Sequence, residues 1–377
     1  MSLTTQLAGG ELGRWCAATL TGTSRLAADV AAAVPGARPV RPSRVDDVGH
    51  WATIGGAFGQ RLAFATQHAP PYYALLGAHR AGLADWATLQ RCATAFPTHT
   101  GLDPDRAGRA NQLRPLPAGG WLDLDQQPGD RYTGRATTGS HCGLVLDLAD
   151  RLIAYLAEHT APGQLAATRG AEAVLARACV VLTDWESAYR TGQLPTHRAP
   201  LYTDPDLTVP DLLAAVPDHQ VAELVELAAR AHDSATLAQL APGGLSGPVF
   251  VEHWADGDLL IPTRDTDTGT AAGADAGMTL LDVKTVIAVR DPDRASRWLW
   301  QLLGYAWLDQ ADHYRIRAVG LYLARHGALI SWPLDRFAAA LLDGRNADAA
   351  AMNFRRLASR VISTETGQQA GPGHDPA

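Results

Sequence analysis

Residues 278–289, MTLLDVKTVIAV, form a β-branched apolar run broken by one acid and one base. A strand with one wet face alternates polar and apolar residues. This run does not, so it predicts a central strand covered on both faces. Asp291-Pro292 follows, an N-cap residue and then a proline at the first helical position, and predicts a helix through SRWLWQLLGYAWLDQ. RIRAVGLYLARHGALISWPL predicts two further strands joined at His326-Gly327, and a last helix is expected over about 334–361. Upstream, VFVEHW and GDLLIP read as shorter strands. Three strands, a helix, two strands and a helix predict a mixed sheet flanked by helices, an α/β (α+β) core.

The residues before this core carry helical rather than strand periodicity. Apolar positions at helical spacing predict a helix over 54–67, stopped by Pro70-Pro71, then helices over about 142–159, 165–191 and 211–240. Residues 96–141 are rich in Pro, Gly and Asp and predict a long irregular connection. The stretch TRDTDTGTAAGADAG, with Asp265, Asp267 and Asp275, predicts a flexible insertion between strands. The expected organisation is a large, mainly helical region over 1–240 packing on a core over 241–362, with a disordered tail over 363–377.

With 46% apolar and 19% charged residues and no run of 18 apolar positions, the chain reads as a globular protein without a membrane span. Its start, MSLTTQLAGGELGRW, has no charged segment leading into an apolar one, so a cytoplasmic location is expected. Cys16, Cys92, Cys142 and Cys179 have no CxxC spacing, which excludes a local zinc knuckle; buried thiols or a distant convergence on an iron–sulfur cluster remain open. The net charge is -7, but residues 284–360 hold 12 Lys and Arg against 7 Asp, so a local basic face can still meet phosphates.

Of the 32 Lys and Arg residues only Lys284 is lysine, and it sits inside the predicted central strand. A chain that uses Arg everywhere else keeps an ammonium where a compact, deprotonatable cation does what a guanidinium cannot. Asp282 lies two residues earlier, hence on the same strand face. Asp258 stands at the start of the preceding short strand, with Asp256 as a rival. Gln301 and Tyr305 lie one helical turn apart on the following helix. Two acids and one base in an apolar sheet are costly unless paired, and a hard divalent cation between the carboxylates removes that cost. The plainer alternative is a buried ion pair with Tyr305 as core filler.

GDLLI (257–261), LLDVK (280–284) and QLLGY (301–305) together resemble the PD-(D/E)xK nuclease superfamily, and within it the RecB-like branch with a Q-x-x-x-Y motif. The resemblance covers about 248–332. It implies a restriction-endonuclease-like core and hydrolysis of DNA by in-line attack of a metal-activated water, with Mg²⁺ or Mn²⁺ as cofactor. It makes Asp258, Asp282 and the Val283 carbonyl metal ligands, Lys284 the catalytic lysine, and Gln301 and Tyr305 residues that brace the site or touch DNA. It also implies a place in foreign-DNA restriction or repair, alone or within a larger complex. The spacing from Asp258 to Asp282 is longer than usual. Where members of the branch carry G-x-A-F-H, this chain reads Gly55-Gly56-Ala57-Phe58-Gly59, so the histidine ligand is absent. Substitutes are Glu223, Glu226 or His232 on the helix before the sheet, or Glu252 on the first strand. The alternative function is a catalytically inactive nuclease-fold module, or a subunit active only in a complex.

Overall fold

The computed structural model describes residues 2–34, 38–98, 139–240, 243–251, 254–263 and 277–369. Most of the expected 96–141 connection, the insertion with Asp265, Asp267 and Asp275, and Glu252 lie outside the described residues. The chain opens with α1 (Leu3–Gly9), α2 (Glu11–Thr19) and α3 (Thr23–Ala32), then α4 (Val48–Thr66), α5 (Tyr72–Arg80) and α6 (Trp86–Ala95). There follow α7 (Cys142–His159), α8 (Arg169–Thr191), α9 (Val209–Ala214), α10 (Asp218–Asp233) and α11 (Thr236–Leu240). The strands are β1 (Leu245–Ser246), β2 (Val249–Val251), β3 (Ala255–Asp256), β4 (Leu259–Pro262) and β5 (Met278–Lys284). Then come α12 (Pro292–Leu308), β6 (Ile316–Leu323), β7 (Ala328–Pro333), α13 (Leu334–Leu342) and α14 (Ala347–Gln369). No helix among the described residues is long and apolar enough to cross a membrane.

Five strands form one mixed sheet in the order β1-β4-β5-β6-β7, and β2 pairs with β3 separately. β5 runs parallel to β6 and antiparallel to β4. A parallel neighbour needs a crossover, and α12 supplies it. Asp291 caps α12 by accepting from the Asp293 and Arg294 amides, with Pro292 in the first turn, as the sequence predicts. β5 is central and covered on both faces. Leu259, Ile261, Leu281 and Tyr322 enter one apolar core; Leu260, Leu280, Val319, Leu321 and Leu323 enter the other.

The first core is closed by α4 through α11; the second is closed by α1–α3 together with α12–α14. The helical region expected over 1–240 is therefore divided between the two faces of the sheet. The first 32 residues cross to the face held by the C-terminal helices, because Leu3, Leu12, Leu26 and Val30 pack with Leu299, Leu303, Phe337 and Leu341 there.

Three boundaries differ from expectation. The strand predicted over 278–289 stops at Lys284, because its parallel partner turns into a 3-10 helix, Ala324–His326, immediately after the Lys284–Leu323 pair. The helix predicted over 211–240 is three helices, broken where Pro217 starts α10 with extended backbone and where Ala235 takes a positive φ of 58°. The helix predicted over 334–361 is two, separated at Asp343 and Gly344 with φ of 50° and 86°, and α14 runs to Gln369, so residues 363–369 of the expected tail are helical. Gly327, with φ 64°, makes the turn between β6 and β7 that the His326-Gly327 pair predicts.

Candidate active site at the carboxyl end of the central strand

β5 places Asp282 and Lys284 on one face because successive strand side chains alternate. β4 pairs with it in the register Leu259–Leu281, so the next position brings Asp258 opposite Asp282. The Asp258 carboxylate accepts from the Val283 amide at 2.6 Å, satisfying a donor that the ladder leaves open. Lys284 Nζ lies 2.6 Å from Asp282 Oδ2 and donates to Gln301 Oε1 at 3.3 Å. The other end of the Gln301 amide donates to the Tyr305 hydroxyl at 2.8 Å and to Thr4 Oγ1 at 3.4 Å. Tyr305 in turn stacks on Phe250 with ring centroids 5.0 Å apart. Asp258, Asp282, Val283, Lys284 and Gln301 thus meet in one place, and the residues that brace them come from α1, β2 and α12.

Tyr305 is only 4% exposed and is absent from the cleft wall. Burial, with the negative field of Asp256 and Asp282, pushes its phenol well above the usual range. It braces Gln301 by accepting from its amide.

The site floors a cleft of about 380 Å³ between α4 and the sheet end. Gly55, Gly56 and Gly59 form one wall, facing Asp258, Asp282 and Lys284. A Cβ at Gly59 would meet nothing within 4 Å, so the position that lacks the expected histidine is an open part of that wall. At the far end, Gln60 donates to Glu186 at 3.0 Å, Arg190 donates to Glu186 at 2.6 Å and to Asp256 at 3.0 Å, and the Arg190 guanidinium lies 5.3 Å from the Tyr73 ring. Asp256 is therefore committed to Arg190, and Asp258 is the acid opposite Asp282.

Electrostatically the floor is one ammonium against two carboxylates. The Asp258 carboxyl is pushed up, first by the protein enclosing it and then by the Asp282 carboxylate; the Lys284 ammonium and the Val283 amide oppose this. Asp258 still presents surface to solvent in the cleft, which moderates the effect of enclosure. Asp282 is 3% exposed, and its Oδ2 has no aligned hydrogen-bond donor among the described residues, only the adjacent ammonium. A half-compensated carboxylate, a second carboxylate across the strand pair and an opening to water match what a hard divalent cation takes. Among the described residues no three His, Cys, Asp or Glu side chains group closely enough to hold an ion unaided.

The substitute ligands expected on α10 are elsewhere, and Glu252 lies outside the described residues. Glu226 is exposed and ion-paired with Arg169, and His232 is exposed on α10; neither lines the cleft. Glu223 is buried against Arg325, His50 and Ser43. Their helix turns those side chains away from the carboxyl end of β5. The cysteines do not converge: Cys16 lies in one core, Cys92 and Cys179 in the other, with burial pushing the last two thiols up to about 12. Glu186, Arg190 and Thr4 were not legible as cleft residues. Glu186 and Arg190, four apart on α8, read as an ordinary helix pair, and Thr4 carries no signal of its own. No protein-family model matches this chain, and neither a curated protein nor a solved structure matches it.

Proposed function

We propose that this chain is a divalent-cation-dependent nuclease of the PD-(D/E)xK type, hydrolysing DNA phosphodiester bonds on a restriction-endonuclease-like core. The reading rests above all on Asp258 and Asp282 facing each other across β4 and β5, with the lone lysine against Asp282 at the floor of an open cleft. Asp258, Asp282 and the Val283 carbonyl would hold Mg²⁺ or Mn²⁺. When bound, that ion supplies Lewis acidity toward a phosphoryl oxygen and lowers the pKa of water. Lys284 would place its ammonium beside the phosphodiester, balancing charge that develops on the phosphoryl oxygens. Gln301 aims that ammonium by accepting a hydrogen bond from it, and Tyr305 with Thr4 fixes which end of the amide faces it.

The test is incubation of plasmid and linear DNA with Mg²⁺ or Mn²⁺, beside Lys284→Ala. Metal-dependent nicking or degradation that the variant loses supports the proposal. Cleavage that the variant retains removes this site. A second reading, a module of this fold that binds without cleaving, is favoured by the bare Gly59 wall. It predicts DNA binding without cleavage under either metal.

A further inference from the structure

The segment RPVRPSR, residues 38–44, repeats arginine every third position with prolines between. Pro39 and Pro42 fix their own φ and bias the residue before each toward extended backbone, in which positions three apart share a face. The contacts agree. Val40 exchanges hydrogen bonds with Arg325, its amide donating to the Arg325 carbonyl at 2.9 Å and its carbonyl accepting from the guanidinium at 3.1 Å. The Ser43 amide and hydroxyl donate to Glu223 at 2.7 and 2.8 Å. The ribbon is therefore held to the protein by the Val40 and Ser43 hydrogen bonds and by the buried Pro42, while Arg38, Arg41 and Arg44 are exposed and take no ion-pair partner among the described residues.

A chain of contacts links this ribbon to the end of the central strand. The Arg325 guanidinium also donates to the Thr285 carbonyl at 2.7 Å, and Thr285 follows Lys284 directly. A Cβ on the cleft-lining Gly55 would lie 3.1 Å from Thr285 Oγ1. Beside the ribbon is a second concavity of about 540 Å³, bordered by Arg38, Arg41, Arg230 and His219. Its two acids are spent: Glu223 on Arg325 and His50, Glu226 on Arg169. The neighbouring Asp47 caps α4.

We propose that Arg38, Arg41 and Arg44, with Arg230 beside them, form a phosphate track holding the nucleic-acid strand that leaves the cleft past Thr285. This rests on the nuclease reading for its geometry. Extended backbone advances about 9 Å over three residues, so each guanidinium meets a different phosphate. The segment is already ordered by Arg325 and Glu223, so binding costs little backbone entropy.

The experiment is fluorescence anisotropy with labelled single-stranded and duplex oligonucleotides in EDTA, across about 50 to 200 mM salt, for wild type and R38Q/R41Q/R44Q. The triple variant should bind at least about tenfold more weakly at the low-salt end, with a salt slope shallower by about 2 on single strands and nearly 3 on duplex, as expected for three lost phosphate contacts. R91Q/R151Q, which removes two charges on α6 and α7, should leave both quantities unchanged. An R38Q/R41Q/R44Q protein that melts like the wild type and keeps its affinity and slope overturns the track. So does a wild type that binds no oligonucleotide. Hydrolysis of bis-p-nitrophenyl phosphate with Mn²⁺, too short to reach the ribbon, reports the cleft separately. If that and DNA cleavage are both absent while ribbon-dependent binding persists, the nuclease reading fails and the track stands.

Discussion

Lys284 Nζ and Asp282 Oδ2 lie 2.6 Å apart on one face of the central strand, and the same ammonium reaches Gln301 at 3.3 Å. The lysine is therefore both the counter-ion of a buried acid and the end of a hydrogen-bonded line to Tyr305. In EDTA, Lys284→Ala should lower unfolding free energy by about 1–3 kcal/mol, because Asp282 is left without compensation. The Asp282→Ala/Lys284→Ala double variant should lose less than the sum of the single variants in urea titrations. Additive losses would show that the pair is not coupled.

Lys284→Arg keeps the charge and changes its shape. A planar guanidinium spreads its charge over a wide fork and cannot set one compact ammonium against both Asp282 and Gln301. Cleavage should fall about 100-fold or more, as when one positioned charge-stabilising donor is lost, while melting temperature stays close to wild type. Full activity in this variant would make the lone lysine an accident of composition.

Tyr305→Phe removes only the hydroxyl that receives the Gln301 amide proton. The loss should be about 1 kcal/mol of stability and several-fold in kcat, with KM little changed because Tyr305 does not line the cleft. A selective rise in KM would place Tyr305 on the substrate instead.

Titration calorimetry with Mn²⁺ should show binding abolished or greatly weakened in Asp258→Asn and Asp282→Asn. Glu226→Gln and His232→Ala should bind as the wild type does, since both side chains point away from the cleft. Loss of binding in either of the latter would move the metal site to α10.

Glu223 ties α10 to the Arg325 turn beside β6. Burial alone would raise its carboxyl, but the Ser43 amide and the Arg325 guanidinium outweigh that and hold it below the ordinary range. A carboxyl depressed by folding contributes stability above its unfolded pKa, about 4.3, and loses it as pH falls through the lower folded value. Melting temperature should therefore drop steeply below about pH 4, and Glu223→Gln, less stable at neutral pH, should show a shallower acid limb.

Two helical glycines should respond in opposite directions. Gly59→Ala places a methyl in open space and should stabilise by about 0.5–1 kcal/mol through helix propensity. A Cβ at Gly77 would overlap the Trp185 carbonyl where α5 crosses α8, so Gly77→Ala should destabilise. Thermal melts of both variants compare the two directly.

Local pattern carried much of this. The apolar run around Asp282 and Lys284 could be read as a doubly covered strand, Asp291-Pro292 as a helix start and His326-Gly327 as a turn, because alternation, capping and positive φ are decided within a few residues. The same locality placed Asp282 with Lys284 and Gln301 with Tyr305. What lay outside that range was which helix face meets which sheet face. Only packing sent Leu3 and Leu12 to the C-terminal helices, turned Glu226 and His232 away from the cleft, and brought Thr4, Glu186 and Arg190 to its walls. It also decided between Asp256 and Asp258, since strand register sets one against Arg190 and the other against Asp282. Spacing along a chain fixes neighbours on one element; which side chains meet across elements depends on how the whole apolar surface is buried at once.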